Sequence, residues 1–229
     1  MLEDGLSYPA RGDWIGRIVI GGVLGFVSFL VLPAFILFGY FVRVLAETVE
    51  GADEPPAFEA WGSLLVDGLK AVVITMVYGI VPMLLYVVVV FGLLGTGAAI
   101  GGDGGGMVAG LGILSLFLFL PVMVLIYYVV PAALTNFARE GSIGAAFAFD
   151  RIKPVVLSVD YLLAVLFPLV VAVLLQVVLF VLAITVIGLL LAPFVYFYAQ
   201  VAIFRMFGAA YAKVDGERTG EGLEAAAVA

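Results

Sequence analysis

The chain has no histidine and no cysteine, so the two side chains that most often work near neutral pH are missing. Disulfides, thiolate nucleophiles, imidazole bases and the usual zinc sites are thereby excluded. Chemistry would have to come from carboxylates, arginines and lysines. Their densest group is Glu140, Asp150, Arg151 and Lys153, which could supply an acid, a base and an anion-binding pair. The spacing matches no catalytic signature. Arg139, Arg151 and Lys153 equally suit lipid phosphates at a membrane surface, and this solvated, lipid-facing reading is the preferred one. Gln176 is the most polar side chain inside the apolar runs. With Thr75, Thr185, Ser28 and Ser115 it could line a polar pocket, although such residues more often bond helices to one another. Trp61 is a candidate of another kind, an interfacial aromatic open to lipid or partner. An enzyme is the less favoured class, and no cofactor, metal or nucleic acid is expected.

A glycine-rich stretch, Gly95 to Gly106, resembles a phosphate loop only in composition. Such loops need a lysine for the phosphates and a hydroxyl for magnesium, and no basic residue lies nearby. The flanking runs are also too long for the strands of a dinucleotide fold. The stretch is expected to be a flexible connector, and Asp103 alone makes a poor cation site. Gly21-x-x-x-Gly25 and Gly106-x-x-x-Gly110 match the small-residue pattern that lets helices approach closely. Packing within the bundle is the favoured reading, and self-association the alternative.

The elements that must position these residues are set by hydropathy. Apolar residues make up 65% of the 229-residue chain and charged residues 12%, whereas a soluble domain carries about 25% charged residues. Acyl chains must solvate the excess. Five apolar runs are long enough to cross a bilayer, at about 15–42, 71–94, 107–130, 160–186 and 189–207. The predicted fold is therefore an all-α, polytopic transmembrane bundle over residues 1–208, followed by a charged, flexible tail over 209–229. The amino terminus lacks the basic start of a signal peptide, so the first run is expected to stay as a span, kinked at Pro33. The central parts of all five runs lack Asp, Glu, Lys and Arg, which weighs against a proton-coupled pump.

Between the first two spans, Pro55-Pro56 marks a loop. Phe58, Trp61, Leu65 and Leu69 then share one helical side, opposite Glu59, Ser63, Asp67 and Lys70, as in a short helix lying in the headgroup plane. Pro33 and Tyr40, like Pro121 and Tyr128, stand seven residues apart ahead of a polar segment, which suggests a loose two-span repeat. Alternating five spans puts Arg43, Lys70, Arg139, Arg151, Lys153, Arg205, Lys213 and Arg218 on one face, read as cytoplasmic, and Arg11 and Arg17 on the other. The net charge is −7, with acids concentrated in 47–67 and few lysines, which hints at a salt-adapted organism.

Gly39-Tyr40-Phe41-Val42-Arg43, together with Pro55-Pro56…Phe58…Trp61…Leu65-x-Asp67-Gly68-Leu69-Lys70, resembles a family of membrane proteins common in halophilic archaea, domain of unknown function 4013. The resemblance implies a haloarchaeal membrane protein and carries over no activity, ligand or catalytic residue. The expected role is a non-enzymatic, multi-pass protein of the cell membrane: a scaffold, a partner subunit or a lipid-organising protein. Its expected partners are membrane lipids, with protein contact or self-association through Gly21/Gly25 and Gly106/Gly110. The alternative is a passive channel or small-solute transporter with a pocket near Gln176.

Overall fold

The computed structural model describes residues 2–228, and the side chains of all of these except Asp160, Ala164 and 217–228. The helices are α1 (Leu2–Ser7), α2 (Trp14–Phe26), α3 (Leu32–Val49), α4 (Trp61–Ile100), α5 (Gly102–Ser115), α6 (Phe119–Glu140), α7 (Phe149–Val156), α8 (Val159–Ala183) and α9 (Val186–Val228). No strand occurs among the described residues. Five stretches are long and apolar enough to cross a membrane, namely Leu32–Val49, Trp61–Ile100, Gly102–Glu140, Tyr161–Ala183 and Val186–Gly216. The predicted all-α fold with five membrane-length helices is thus observed. The chain divides into two compact units, Met1–Val72 with Pro131–Ala229, and Val73–Val130. Large apolar side chains stand exposed in both, for example Phe180 at 72% and Val88 at 68%. Water would leave that surface unfavourably solvated, whereas acyl chains accept it.

In the first unit, the apolar run 15–42 is not one kinked helix. It breaks at 27–31, where a 3-10 turn spans Ser28–Leu30 and Val31 takes a positive φ of 70°. Pro33 stands in the first turn of α3, where its missing N–H leaves no bond unmade. Pro121 likewise falls in the first turn of α6, so both prolines of the suspected repeat start helices. The break turns α2 and α3 into a hairpin. It returns the chain to where it began, so that the Tyr8 hydroxyl donates to the Glu54 carbonyl at 2.8 Å. Arg11 and Arg17 therefore lie beside the 50–58 loop, and the expectation that they face away from Arg43 is corrected. The α2 arm packs on α9 through its glycines, with Gly21 against Phe197, Gly22 against Phe194 and Gly25 against Pro193.

No separate interfacial helix forms at Trp61, because α4 starts there and continues unbroken for 40 residues, about 60 Å. Leu64, Gly68 and Ala71 turn inward, while Trp61 and Leu69, of the apolar side read from the sequence, stay exposed. In lipid, small residues face neighbouring helices and large apolar ones face acyl chains. Gly39 of α3 and Gly68 of α4 meet where the two backbones touch. A Cβ on Gly39 would lie 1.8 Å from the Leu64 carbonyl oxygen, and one on Gly68 would lie 1.7 Å from that of Phe35.

In the second unit, the expected flexible connector is helical except at the bend. Gly101, at φ 67°, separates α4 from α5. Gly97 faces Gly105 and Ala109 at backbone contact, and Gly112 faces Leu94. Here glycine serves close approach and not flexibility, because a helix satisfies its own backbone bonds in lipid. Gly106 and Gly110 have open space at their Cβ positions. A cavity of about 460 Å³ lies against Met76, Ile80, Met83, Phe119 and Met123.

The last two membrane-length helices, α8 and α9, turn at 184–185, slightly before the expected Ile187-Gly188. Residues 209–216 continue α9 where a flexible tail was expected, with Tyr211 and Val214 buried. The side chains of the tail beyond 216 lie outside the described residues.

Candidate functional site

Charged side chains of the first unit gather about halfway along α9. Arg205 is the centre of this group. Its side chain is 11% exposed. Its Nε donates to Asp4 Oδ2 at 3.2 Å, one terminal nitrogen donates to the Ala52 carbonyl at 2.8 Å, and the guanidinium lies 4.4 Å from the centre of the Tyr8 ring. Arg11 reaches the other oxygen of Asp4 at 2.7 Å, and also donates to Ser7 Oγ and the Asp53 carbonyl. Arg17 donates to the Arg11 carbonyl at 3.0 Å and lies 3.7 Å from Glu54. Gly12, at φ 60°, leaves room for Glu54, whose Oε2 would lie 2.0 Å from a Cβ there. α1 and the turn after it thus form a strap tied to the 50–58 loop and to α9.

Beneath the strap is an aromatic layer. Phe58 of the loop stacks on Tyr40 at 4.2 Å between ring centres and contacts Phe197 of α9 at 5.9 Å. The Tyr40 hydroxyl donates to the Pro56 carbonyl at 3.0 Å. Arg43 ties the start of α4, donating to the Glu59 carbonyl at 2.9 Å and to Ser63 Oγ at 2.8 Å. Trp61 stacks on Phe58 at 5.7 Å and remains 44% exposed.

A second polar group forms where α6 meets α9. Asn136, fully buried, donates from Nδ2 to the Ala145 carbonyl at 2.7 Å and accepts at Oδ1 from the Tyr211 hydroxyl at 3.2 Å. Arg139 pairs with Asp215 at 2.8 Å and lies 5.9 Å from the Tyr211 ring centre. Tyr40 with Arg43 on α3, and Asn136 with Arg139 on α6, share one device. A polar side chain bonds a carbonyl of the following loop, and an arginine follows one turn later.

The sequence-predicted residues fall around this framework. Arg139 is committed to Asp215, and Arg151 is paired with Glu140. Asp150 and Lys153 are exposed on α7. Two of the charged residues named from the sequence, Glu140 and Arg151, thus pair with one another, while Asp150 and Lys153 face outward. Gln176 is exposed on α8. Ser28, Ser115 and Thr185 donate to carbonyls of their own chain segments at Leu24, Gly112 and Leu182. A mostly apolar cavity with a few polar side chains at its edge occurs elsewhere, about 220 Å³ between Ser28, Phe38, Phe41, Tyr196, Gln200 and Phe204. Asp4, Asn136 and Tyr211 were not named as candidates from the sequence, and Arg205 entered only as one of the basic residues that set topology. Arg205 carried a usable signal, as an ionisable residue near the end of a long apolar run.

Two expectations follow from the strap. Burial raises the Asp4 carboxyl, but hydrogen bonds from Arg11 and Arg205, with their charges, outweigh it and hold Asp4 below the usual carboxylate range. A carboxyl lowered in the folded state adds stability above its unfolded value and loses it as pH falls through the folded one. Acidifying from about pH 5 to about pH 3 should loosen α1, read as faster amide exchange over residues 2–12. Asp4→Asn should exchange fast at both pH values. Burial also pushes the Tyr8 hydroxyl up to about 12 against the pull of Arg205, so Tyr8 stays a neutral donor throughout. Secondly, Arg205→Met is expected to cost about 2 kcal/mol in thermal unfolding, less than a fully buried pair. The carboxylate left behind is 41% exposed and keeps Arg11. Exchange over 2–12 and 50–58 should rise together.

Five helices long and apolar enough to cross a membrane define an all-α, multi-pass class of protein. The chain belongs to the family described as protein of unknown function (DUF4013), whose profile matches residues 26–184. Searches of curated proteins and of solved structures find no match. Gly39, Arg43, Gly68 and Asn136 lie within the matched segment, whereas Asp4, Tyr8, Arg205 and Tyr211 lie outside it.

Proposed function

We propose that this chain is a non-enzymatic, multi-pass protein of the cell membrane that organises lipid or holds a partner subunit at one membrane surface. The supporting observation is the commitment of Arg11, Arg17, Arg43, Arg139 and Arg205 to internal carbonyls and carboxylates. Guanidinium groups spent on tying loops together make a rigid platform. Trp61 and Lys153 stay accessible at its edge. Trp61 suits lipid or a protein partner, and Lys153 suits lipid phosphate. The face at Gly106 and Gly110 is the small-residue surface left open to a second copy. The exposed acids Glu50, Asp53, Glu54 and Glu59 support a salt-rich setting such as that of halophilic archaea. A photoreactive residue at Trp61, activated in native membranes, tests the role. Capture of a defined lipid or protein supports it, and capture of neither counts against it.

The second reading is a passive channel or small-solute transporter. It is supported by the cavity at Ser28, Tyr196 and Gln200, with Gln176 as a further polar candidate. Reconstituted liposomes that pass no small solute would remove it.

A further inference from the structure

The geometry points to a re-entrant hairpin: α2 and α3 enter and leave the membrane from the same surface, with their bend in the acyl chains and that surface facing the cytoplasm. This goes beyond the proposed role and stands whether or not that role is right. Three observations carry it. First, both ends of the hairpin lie beside Arg205, about halfway along α9. The strap before α2 and the loop after α3 are bonded to each other through Tyr8 and Glu54 and to Arg205 through Asp4 and Ala52. Secondly, α2 has 13 residues, about 20 Å against a hydrocarbon core of about 30 Å. Gly25, near its end, rests on Pro193, one to two turns inside α9 from the far turn.

Thirdly, the bend is chemically suited to lipid and not to water. Phe29, Leu30, Val31 and Leu32 are exposed at 76, 60, 57 and 60%, and no charged residue is among them. Non-helical backbone in the membrane must find its partners internally, and here it does. Val27, Leu30, Val31 and Phe35 donate to the carbonyls of Val23, Val27, Ser28 and Val31, and the Ser28 hydroxyl donates to Leu24.

The hairpin changes the distribution of charge. Arg11 and Arg17, beside the 50–58 loop and Arg205, join Arg43 on one surface, which the positive-inside tendency makes cytoplasmic. A partner that reads polar side chains would then meet the first unit from the cytoplasm.

The cysteine-free chain allows a direct test with single cysteines in the full-length protein. The sites are Ala10→Cys, Ala57→Cys, Gly144→Cys and Thr185→Cys, all exposed, with Glu3→Cys as a second choice for the strap. They are probed with a membrane-impermeant maleimide on intact cells and on inverted vesicles. Positions 10, 57 and 144 should label only in inverted vesicles, and position 185 only in intact cells. Phe29→Cys should resist the impermeant reagent from both sides. Positions 10 and 57 labelling from opposite sides would overturn the hairpin, as would ready labelling at 29. Positions 10, 57 and 144 labelling together from outside would overturn the cytoplasmic orientation.

Discussion

Gly39→Ala is expected to lower the unfolding free energy by about 3 kcal/mol, the upper end of what overpacking costs. The same change at Gly106 should leave it unaltered or raise it by up to about 1 kcal/mol. The two substitutions add an identical methyl group to helices, so intrinsic propensity favours both equally. What differs is the space. At Gly39 the added carbon would lie 1.8 Å from the Leu64 carbonyl oxygen, whereas at Gly106 nothing lies within 4 Å. The clashing atom belongs to backbone, so no rotamer change relieves it, and α3 must separate from α4. Separation also pulls Arg43 from Glu59 and Ser63. Gly68→Ala should behave like Gly39→Ala, since its methyl would meet the Phe35 carbonyl oxygen at 1.7 Å. Thermal unfolding in detergent micelles measures all three. Equal melting temperatures for the Gly39 and Gly106 variants would show that the helices do not touch there.

Asn136→Leu is expected to cost about 2 kcal/mol, because it strands the buried Tyr211 hydroxyl. It also takes one of two donors from the Ala145 carbonyl, which keeps the Ala148 N–H. Tyr211→Phe alone removes one hydrogen bond and leaves Asn136 its bond to Ala145, so about 1 kcal/mol is expected. The double variant should be more stable than the sum of the two predicts, since Tyr211 no longer has a hydroxyl to strand. Strict additivity would mean that the two side chains do not meet.

Much of the fold was legible in hydropathy. Apolar runs of about 20 residues demand helices in lipid, and the five long helices follow from that one constraint. Pro55-Pro56 marked a true loop. The residues quoted for the family resemblance, Gly39, Arg43 and Gly68, prove to be the contacts that hold α3, its loop and α4 together. Their role was illegible because it rests on two backbones meeting across a loop, which no local spacing encodes.

The bend at 27–31 escaped detection for a different reason. In water a turn announces itself by polar residues or glycine. In acyl chains Phe29, Leu30 and Val31 serve, so a hairpin and a single long helix read alike. Glycines 95–106 suggested freedom by composition, yet Gly97 and Gly105 are used for contact. The strap pairs Asp4 with Arg205 across 201 positions, and only the folded chain brings them together.

Expressed full length and left in its own membranes, the protein can be washed with alkaline carbonate and centrifuged. Helices solvated by acyl chains keep it in the pellet until detergent is added. Release into the supernatant as a compact, helical monomer would contradict the membrane reading on which the hairpin, the glycine contacts and the charged platform all rest.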